Sequence, residues 1–258
     1  MKKIYKREVK AALDKLQAGE HFLITEEDLR PLPVIVQKYL RNSGVVGREK
    51  VLNFRVEMEG KIRGKPGDPW MKLKSVQYNF FEPYTRIFYI RAMKMGIPAV
   101  GLHLYKDETA IMKIKLAGLF TISDASGPEM DQGETVTVFN DMCFMAPGTL
   151  IDKRIKWEIL DPTTVIAKFT NGKLSVGATL YFNEEGNLVN FISNDRYETT
   201  DGKVYKNYPW STPVKDYGLF NGLNLPSSAE AIYHHPDGEF CYAEFTIKNI
   251  EYNCKEFK

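Results

Sequence analysis

The segment Thr163–Phe182, with the sequence TTVIAKFTNGKLSVGATLYF, indicates the fold class of this 258-residue chain. Asn171–Gly172 lies at its centre, between two runs in which apolar and polar residues alternate. Glycine readily adopts positive φ and asparagine tolerates it, so this pair predicts a tight turn between antiparallel strands. We therefore expect a β-hairpin with strands at Thr163–Thr170 and Lys173–Phe182.

The same turn signal recurs through the second half of the chain, and two-residue alternation also begins near Val51 in the first half. The sequence shows no βαβ alternation and no repeat of fixed period, so an antiparallel meander of ten or eleven strands is predicted. The four further turn dipeptides are Glu185–Gly186, Asp201–Gly202, Asn221–Gly222 and Asp237–Gly238.

Helical patterns precede and interrupt the strands. Apolar residues recur at helical spacing before residue 17, and a second helix is predicted from Leu32–Pro33 to Gly44. Residues 123–129 have loop composition, and a third helix is predicted at about Glu134–Phe144.

The strand pattern continues to the end of the chain without a low-complexity linker. We therefore predict a single domain over residues 1–258. It consists of a helical segment at 1–47 and an antiparallel sheet at 48–258, with a helical insertion near 123–148.

Composition and charge give few functional signals. The net charge of +2 gives no reason to expect nucleic acid as a partner. Cys143, Cys241 and Cys254 lack metal-ligand spacing, which fits a reducing compartment. No apolar run has the length of a membrane span, and no signal-peptide pattern follows Met1. The expectation is a soluble cytoplasmic protein without a metal or cofactor.

A set of short motifs runs through the chain from about residue 30. They are Leu32-Pro33-x-x-Val36-x-x-Tyr39-Leu40, the glycine-rich turn before Trp70, Lys94–Pro98 (KMGIP), Asp124–Glu134 (DASGPEMDQGE), Asp195-Arg196-Tyr197, Asp216-Tyr217 and Gly238-Glu239-Phe240-x-Tyr242. Together these motifs resemble a bacterial family of unknown function. The chain departs from this resemblance in two ways: it shows no signal-peptide pattern, and Asn140–Asp141 stands where family members often carry a glutamate in the lid helix.

The architecture of that family is similar to the incompletely closed β-barrel of the periplasmic lipoprotein carriers. In those proteins a curved antiparallel sheet surrounds an apolar cavity that helices cover. The resemblance therefore implies a mainly β fold: a curved antiparallel sheet forming an open half-barrel, with N-terminal helices and a helical lid insertion.

Aromatic and methionine side chains are the candidates for ligand contact. A single curled sheet must fill its concave side with side chains or leave a cavity, and methionine makes such linings adaptable. The first hypothesis is a protein that binds a lipid-like or other apolar small molecule. The alternative is a structural or partner-binding domain with a filled core. The candidate residues are Tyr78, Phe80, Phe88, Met93, Met95, Met112, Phe139, Trp157, Phe169 and Phe182.

An acidic cluster supports a second functional hypothesis, a hydrolase or metal-assisted enzyme that uses its carboxylates together with Arg196. Acidic residues near the start of a helix also satisfy free N–H groups, which is a structural interpretation of the same cluster. The sequence contains no nucleophile elbow, phosphate-binding loop or dinucleotide fingerprint. The cluster consists of Asp124, Glu129, Asp131 and Glu134.

Two further features are interpreted as structural. His103 alternates with Leu102 and Leu104, so it is predicted to face solvent. Asp195-Arg196-Tyr197 could bind an anionic head group through Arg196. Asp195 and Arg196 fall on opposite faces of a predicted strand, however, and a surface ion pair is the simpler interpretation of this motif.

Overall fold

A computed structural model describes residues 1–16, 22–94 and 96–258. This part of the chain contains sixteen strands, more than the ten or eleven predicted. Three of them have only two residues, and Phe120–Ser126 is a strand although its second half was predicted as a loop. The strands are β1 (Asn53–Ile62), β2 (Met71–Phe81), β3 (Tyr84–Lys94), β4 (Ile97–Lys106), β5 (Thr109–Leu116), β6 (Phe120–Ser126), β7 (Ile155–Asp161), β8 (Thr164–Asn171), β9 (Leu174–Phe182), β10 (Leu188–Ser193), β11 (Tyr197–Glu198), β12 (Lys206–Asn207), β13 (Trp210–Ser211), β14 (Val214–Phe220), β15 (Leu223–His235) and β16 (Gly238–Tyr252).

The main sheet is antiparallel, and its strands follow one another almost in chain order. The order is β7-β8-β9-β10-β13-β15-β16-β1-β2-β3-β4-β5-β6, while β14 pairs with β15 beside this path and β11 pairs with β12 separately. The β1–β16 pairing joins the two halves, with Phe54 opposite Tyr252 and Ile62 opposite Ala243. Long sheets twist and curl. This one forms the predicted open half-barrel, with β6 and β7 as its edges.

The predicted turn dipeptides lie where the chain reverses between consecutive strands. Asn171–Gly172, for example, connects β8 to β9, and its glycine has a φ of 56°. The turn predictions are confirmed, because all five glycines have positive φ: Gly172, Gly186, Gly202, Gly222 and Gly238.

The longest helix connects the two edges of the sheet. It follows β6 and, together with the 3-10 turn Pro147–Ile151, leads into β7, so it crosses the concave side. It begins six residues before the predicted Glu134. No helix in the described part of the chain has the length and apolar character needed to span a membrane. The α-helices within the described ranges are α1 (Lys2–Leu13), α2 (Glu26–Leu29), α3 (Val34–Ser43) and α4 (Pro128–Met145).

Helix α3 covers one end of the half-barrel. Pro33 precedes its first residue, and Gly44, with a φ of 76°, follows its last, as predicted. Tyr39 is fully buried on this helix and donates its hydroxyl to the carbonyl oxygen of Cys143 at 2.7 Å. The contact ties α3 to the C-terminal part of α4.

Both faces of the first strands are buried, by different helices. On the convex side, Tyr5 and Val9 of α1 pack against Tyr78 and Ile87. On the concave side, α4 packs within the main core, in which Phe139 is fully buried. Apolar residues on β2 and β3 therefore do not identify which face of the sheet points to the interior.

The β1–β16 pairing leaves no space for a side chain at Gly60, where a Cβ would lie 1.9 Å from the carbonyl oxygen of Glu244. We predict that Gly60→Ala lowers the free energy of unfolding by about 1–3 kcal/mol, because the strands must separate. Urea unfolding followed by circular dichroism measures this. Gly64→Ala is the control, since its Cβ would be 3.5 Å from the Asp68 carboxylate. Equal stability of the two variants would contradict the described strand pairing.

Candidate functional site

A cavity of about 700 Å³ lies between the concave face of the sheet and α4. Phe88, Ile90 and Met112 of the sheet contribute to its wall, which is mainly apolar. Gly64 and Lys65, at the exposed tip of the β1–β2 hairpin, also line it. The cavity therefore opens at this hairpin end, opposite the end that α3 covers.

Helix α4 is buried over most of its length, yet its two faces differ. Phe139 and Cys143 lie on the face that packs into the main core. The other face lines the cavity and follows helical spacing of three and four residues. Its side chains are polar in the middle of the helix and apolar at both ends: Met130, Glu134, Thr137, Asn140, Asp141, Phe144 and Met145.

Arg86 of β3 binds both carboxylates of this helix face. Its Nε donates to Asp141 Oδ2 at 2.8 Å, and its Nη1 donates to Glu134 Oε2 at 3.0 Å. Arg86, Glu134 and Asp141 are all buried. Because an unpaired buried charge is strongly unfavourable, the guanidinium and the two carboxylates depend on one another.

Two side chains from β2 also donate hydrogen bonds to Asp141. Gln77 Nε2 and Asn79 Nδ2 donate to its Oδ2 atom at 2.7 and 2.9 Å. Gln77 also accepts a hydrogen bond from Arg86 Nη2 at 3.0 Å. The buried polar groups thus form one connected network that fixes α4 against β2 and β3.

His103 of β4 faces the cavity and not solvent, so its predicted orientation was wrong. Its register partner across the sheet is Phe88, and its Nδ1 atom is 3.3 Å from Glu134 Oε1. The alternation with Leu102 and Leu104 was correct, but α1 buries the Leu102 side of the strand. The polar face therefore points inward.

The two carboxylates have pKa values displaced in opposite directions. Burial raises the pKa of Glu134, but the charges of Arg86 and His103 outweigh burial and lower it to about 2. Burial also raises the pKa of Asp141, and there the charge of Arg86 compensates only in part. The surroundings thus favour the charged form of Glu134 and disfavour that of Asp141.

A second guanidinium lines the cavity, that of Arg196, which does not form the predicted surface ion pair. Asp195 instead accepts a hydrogen bond from the backbone N–H of Gly177 at 2.6 Å. Arg196 Nε donates to Thr137 Oγ1 of α4 at 3.2 Å, and its Nη1 donates to the hydroxyl of Tyr233. The prediction failed because residues 194–196 lie outside any strand, so the two side chains do not alternate across a sheet.

The predicted apolar binding residues fall in different places, with Met95 outside the described residues. Phe88, Met93 and Met112 line the cavity. The other six do not contribute to its wall. Tyr78 and Phe80 lie in the convex cluster beneath α1, Phe139, Phe169 and Phe182 lie in the main core, and Trp157 packs against that core.

The four carboxylates of the enzyme hypothesis do not converge. Asp124 is exposed and pairs with Lys113 at 2.8 Å, and Asp131 accepts a hydrogen bond from the backbone N–H of Ala110 at 2.6 Å. Glu129 and Glu134 line the cavity. No three of the four lie close enough together to form a metal-binding group in the described part of the chain.

One other group in the described residues has the spacing of metal ligands. The donor atoms of Glu230, Cys241 and Glu244 lie within 4.8 Å of one another. Lys215 pairs with Glu230 at 2.7 Å, and Lys61 pairs with Glu244 at 2.8 Å. Ammonium groups thus already neutralise both carboxylates.

Sequence reasoning missed most of the polar cavity residues. Along β2 the side chains of Gln77 and Asn79 point to one face of the sheet and those of Tyr78 and Phe80 to the other. The apolar face was predicted to point to the interior. Arg86 offered a usable signal, because it shares one strand face with Phe88 and Ile90. The missed residues that line the cavity are Gln77, Arg86, His103, Asn140, Asp141 and Tyr233, and Asn79 is the missed hydrogen-bond donor to Asp141.

Comparisons with known proteins found one family model and several solved structures that resemble this chain. The model of the Family of unknown function (DUF6544) matches residues 22–245. No curated protein matches the chain. A solved DUF1329 family protein from Desulfovibrio piger is 11% identical, with a TM-score of 0.47 over 86% of this chain and 93% of that one. A Vibrio parahaemolyticus domain described as an outer membrane lipoprotein-sorting protein domain is 10% identical, with a TM-score of 0.43 over 80% and 87%.

We predict that Arg86→Met destabilises the protein by about 3–5 kcal/mol, because two buried carboxylates lose their shared cation. Urea unfolding of this variant and of the wild type measures the difference. Arg91→Met, on the same strand but exposed, is the matched control and changes stability little. A loss in the Arg86 variant no larger than in the control would contradict the network.

We also predict a pH-dependent contribution from Glu134. Its pKa in the folded state is about 2, below the usual value of 4.5, so its stabilising effect is complete above pH 4.5 and declines as pH falls towards 2. The stability difference between wild type and Glu134→Gln should therefore shrink by about 2 kcal/mol from pH 6 to pH 3. A difference that stays constant over this range would disprove the assignment.

Proposed function

The chain belongs to DUF6544, a family of unknown function, and we propose that it binds a lipid-like or other apolar small molecule in its half-barrel. The observation that carries this proposal is the cavity of about 700 Å³ beside α4. Cavities of about 300–1,000 Å³ hold small-molecule ligands in other proteins. The ligand would lie between the concave face of the sheet and the helix.

A filled core is the competing explanation, and the cavity volume speaks against it. Protein interiors are close-packed, and few of their voids exceed the size of a water molecule. The volume here is large enough for a ligand, while Phe54, Phe139 and Phe169 of the main core are fully buried. The empty space is therefore local to the α4 face and does not reflect loose packing of the whole domain.

The lining suits a flexible apolar ligand. Met58 and Met112 of the sheet and Met130 and Met145 of α4 all contribute to the wall. Unbranched methionine side chains can adjust to ligands of different shape. Met93, which is 51% exposed, lies where the wall meets solvent. An apolar chain could enter along this side chain without crossing the main core.

Native mass spectrometry of freshly purified protein, followed by organic extraction, tests the proposal. A co-purified apolar molecule, released by the solvent and identified in the extract, is the expected result. If the protein carries no such molecule and also fails to bind the neutral fluorescent probe N-phenylnaphthylamine, the proposed function is wrong.

We predict that Ala99→Trp abolishes or strongly reduces binding of N-phenylnaphthylamine. Ala99 lines the cavity next to Ala92 on the neighbouring strand, so an indole at this position occupies ligand space. Fluorescence titration gives the affinity, and circular dichroism checks the fold. Ile159→Trp is the matched control, because this side chain is 63% exposed on the edge strand β7. Unchanged binding by both variants would place the probe elsewhere.

A further inference from the structure

Arg196 is a partly buried cation that lines the cavity, and it differs from the buried Arg86 because it has no carboxylate partner. In the part of the chain that the structure describes, it forms no ion pair within 4.0 Å, whereas Arg86 forms two. Its Nε and Nη1 atoms donate to Thr137 and Tyr233, and no residue of the described ranges accepts a hydrogen bond from its Nη2 atom. Since the side chain lines the cavity, a donor of this guanidinium remains available there.

The guanidinium is held in place by aromatic rings. Its carbon lies 4.7 Å from the centre of the Trp210 ring and 5.7 Å from that of Tyr233. Trp210 Nε1 donates to the hydroxyl of Tyr242 at 3.2 Å, and the Tyr233 hydroxyl donates to the carbonyl oxygen of Tyr197 at 2.9 Å. Such stacking fixes the orientation of the planar Arg196 guanidinium before any ligand binds.

The nearby carboxylates already have partners. Glu134 accepts from Arg86 and is paired with His103, and Asp141 is bonded to Arg86 and two amides. Asp195, adjacent to Arg196 in sequence, accepts from the Gly177 backbone. A cation without an ionic partner in a largely apolar cavity is unfavourable unless an anion joins it.

We propose that Arg196 binds the anionic head group of an amphipathic ligand, through carboxylate or phosphate oxygens, while the ligand's apolar chain occupies the cavity. This inference rests on the proposed function and specifies its ligand class. The planar guanidinium matches the geometry of both oxyanions. The chain would extend along the Phe88 and Met112 wall.

Displacement of N-phenylnaphthylamine by ligands of equal chain length tests the inference. The probes are dodecanoate, dodecyl phosphate and the neutral dodecanol, at pH 8. Wild-type protein should bind the two anions about tenfold or more tightly than the alcohol, as expected for a charge-assisted hydrogen bond. Arg196→Gln should lose this preference while it keeps its affinity for dodecanol.

Arg63→Gln is the matched control, because Arg63 also lines the cavity and stacks on an aromatic ring, but lies at the mouth. It should keep the preference for anions. If Arg196→Gln does not fold, Arg196→Lys replaces it and should show a reduced preference, because an ammonium lacks the planar fork.

The outcomes separate the two proposals. Equal affinity of wild type for all three compounds overturns the role of Arg196 but leaves apolar ligand binding intact. A preference that survives Arg196→Gln, or that disappears in Arg63→Gln instead, also overturns it. Failure of every compound to displace the probe rejects the proposed cavity ligand itself.

Discussion

The pairing of Arg86 with two carboxylates of α4 is the interaction on which the interior of this protein depends. The two edges of the sheet are consecutive in the chain, so the segment between them must cross the concave side. That segment is α4, which is buried nearly all round and carries Glu134 and Asp141 into the interior. Only a buried cation and amide donors on the facing strands make this placement stable.

The network also explains why the interior has a cavity. An α4 that was apolar on both faces could settle fully onto the sheet. Here the polar face is spaced from the strands by the Arg86 guanidinium and by Gln77, which hydrogen-bonds to Asp141 at 2.7 Å. Apolar residues such as Phe88 and Met112 then border an open volume. The buried charges and the cavity thus both follow from the position of α4.

Local chemistry made the fold predictable, and tertiary contacts made the site unpredictable. Positive φ at Gly172 and a left-handed Gly44 follow from residue type alone, so the hairpins and α3 were identified. The inward face of β2 was not identified, because α1 buries Tyr78 on the convex side. The outward face of this strand is therefore also apolar. Arg196 enters the cavity from an irregular segment, for which no periodicity applies.

We propose that the space between α4 and the curled sheet is a ligand site. A crystal structure of the protein with a terminally brominated dodecanoate tests it most directly, because bromine scatters anomalously. We expect a bromine peak inside the cavity, near Phe88 and Met112, and the carboxylate of the ligand at Arg196. A closed interior without space beside Glu134, or bromine only on the outer surface, would contradict it.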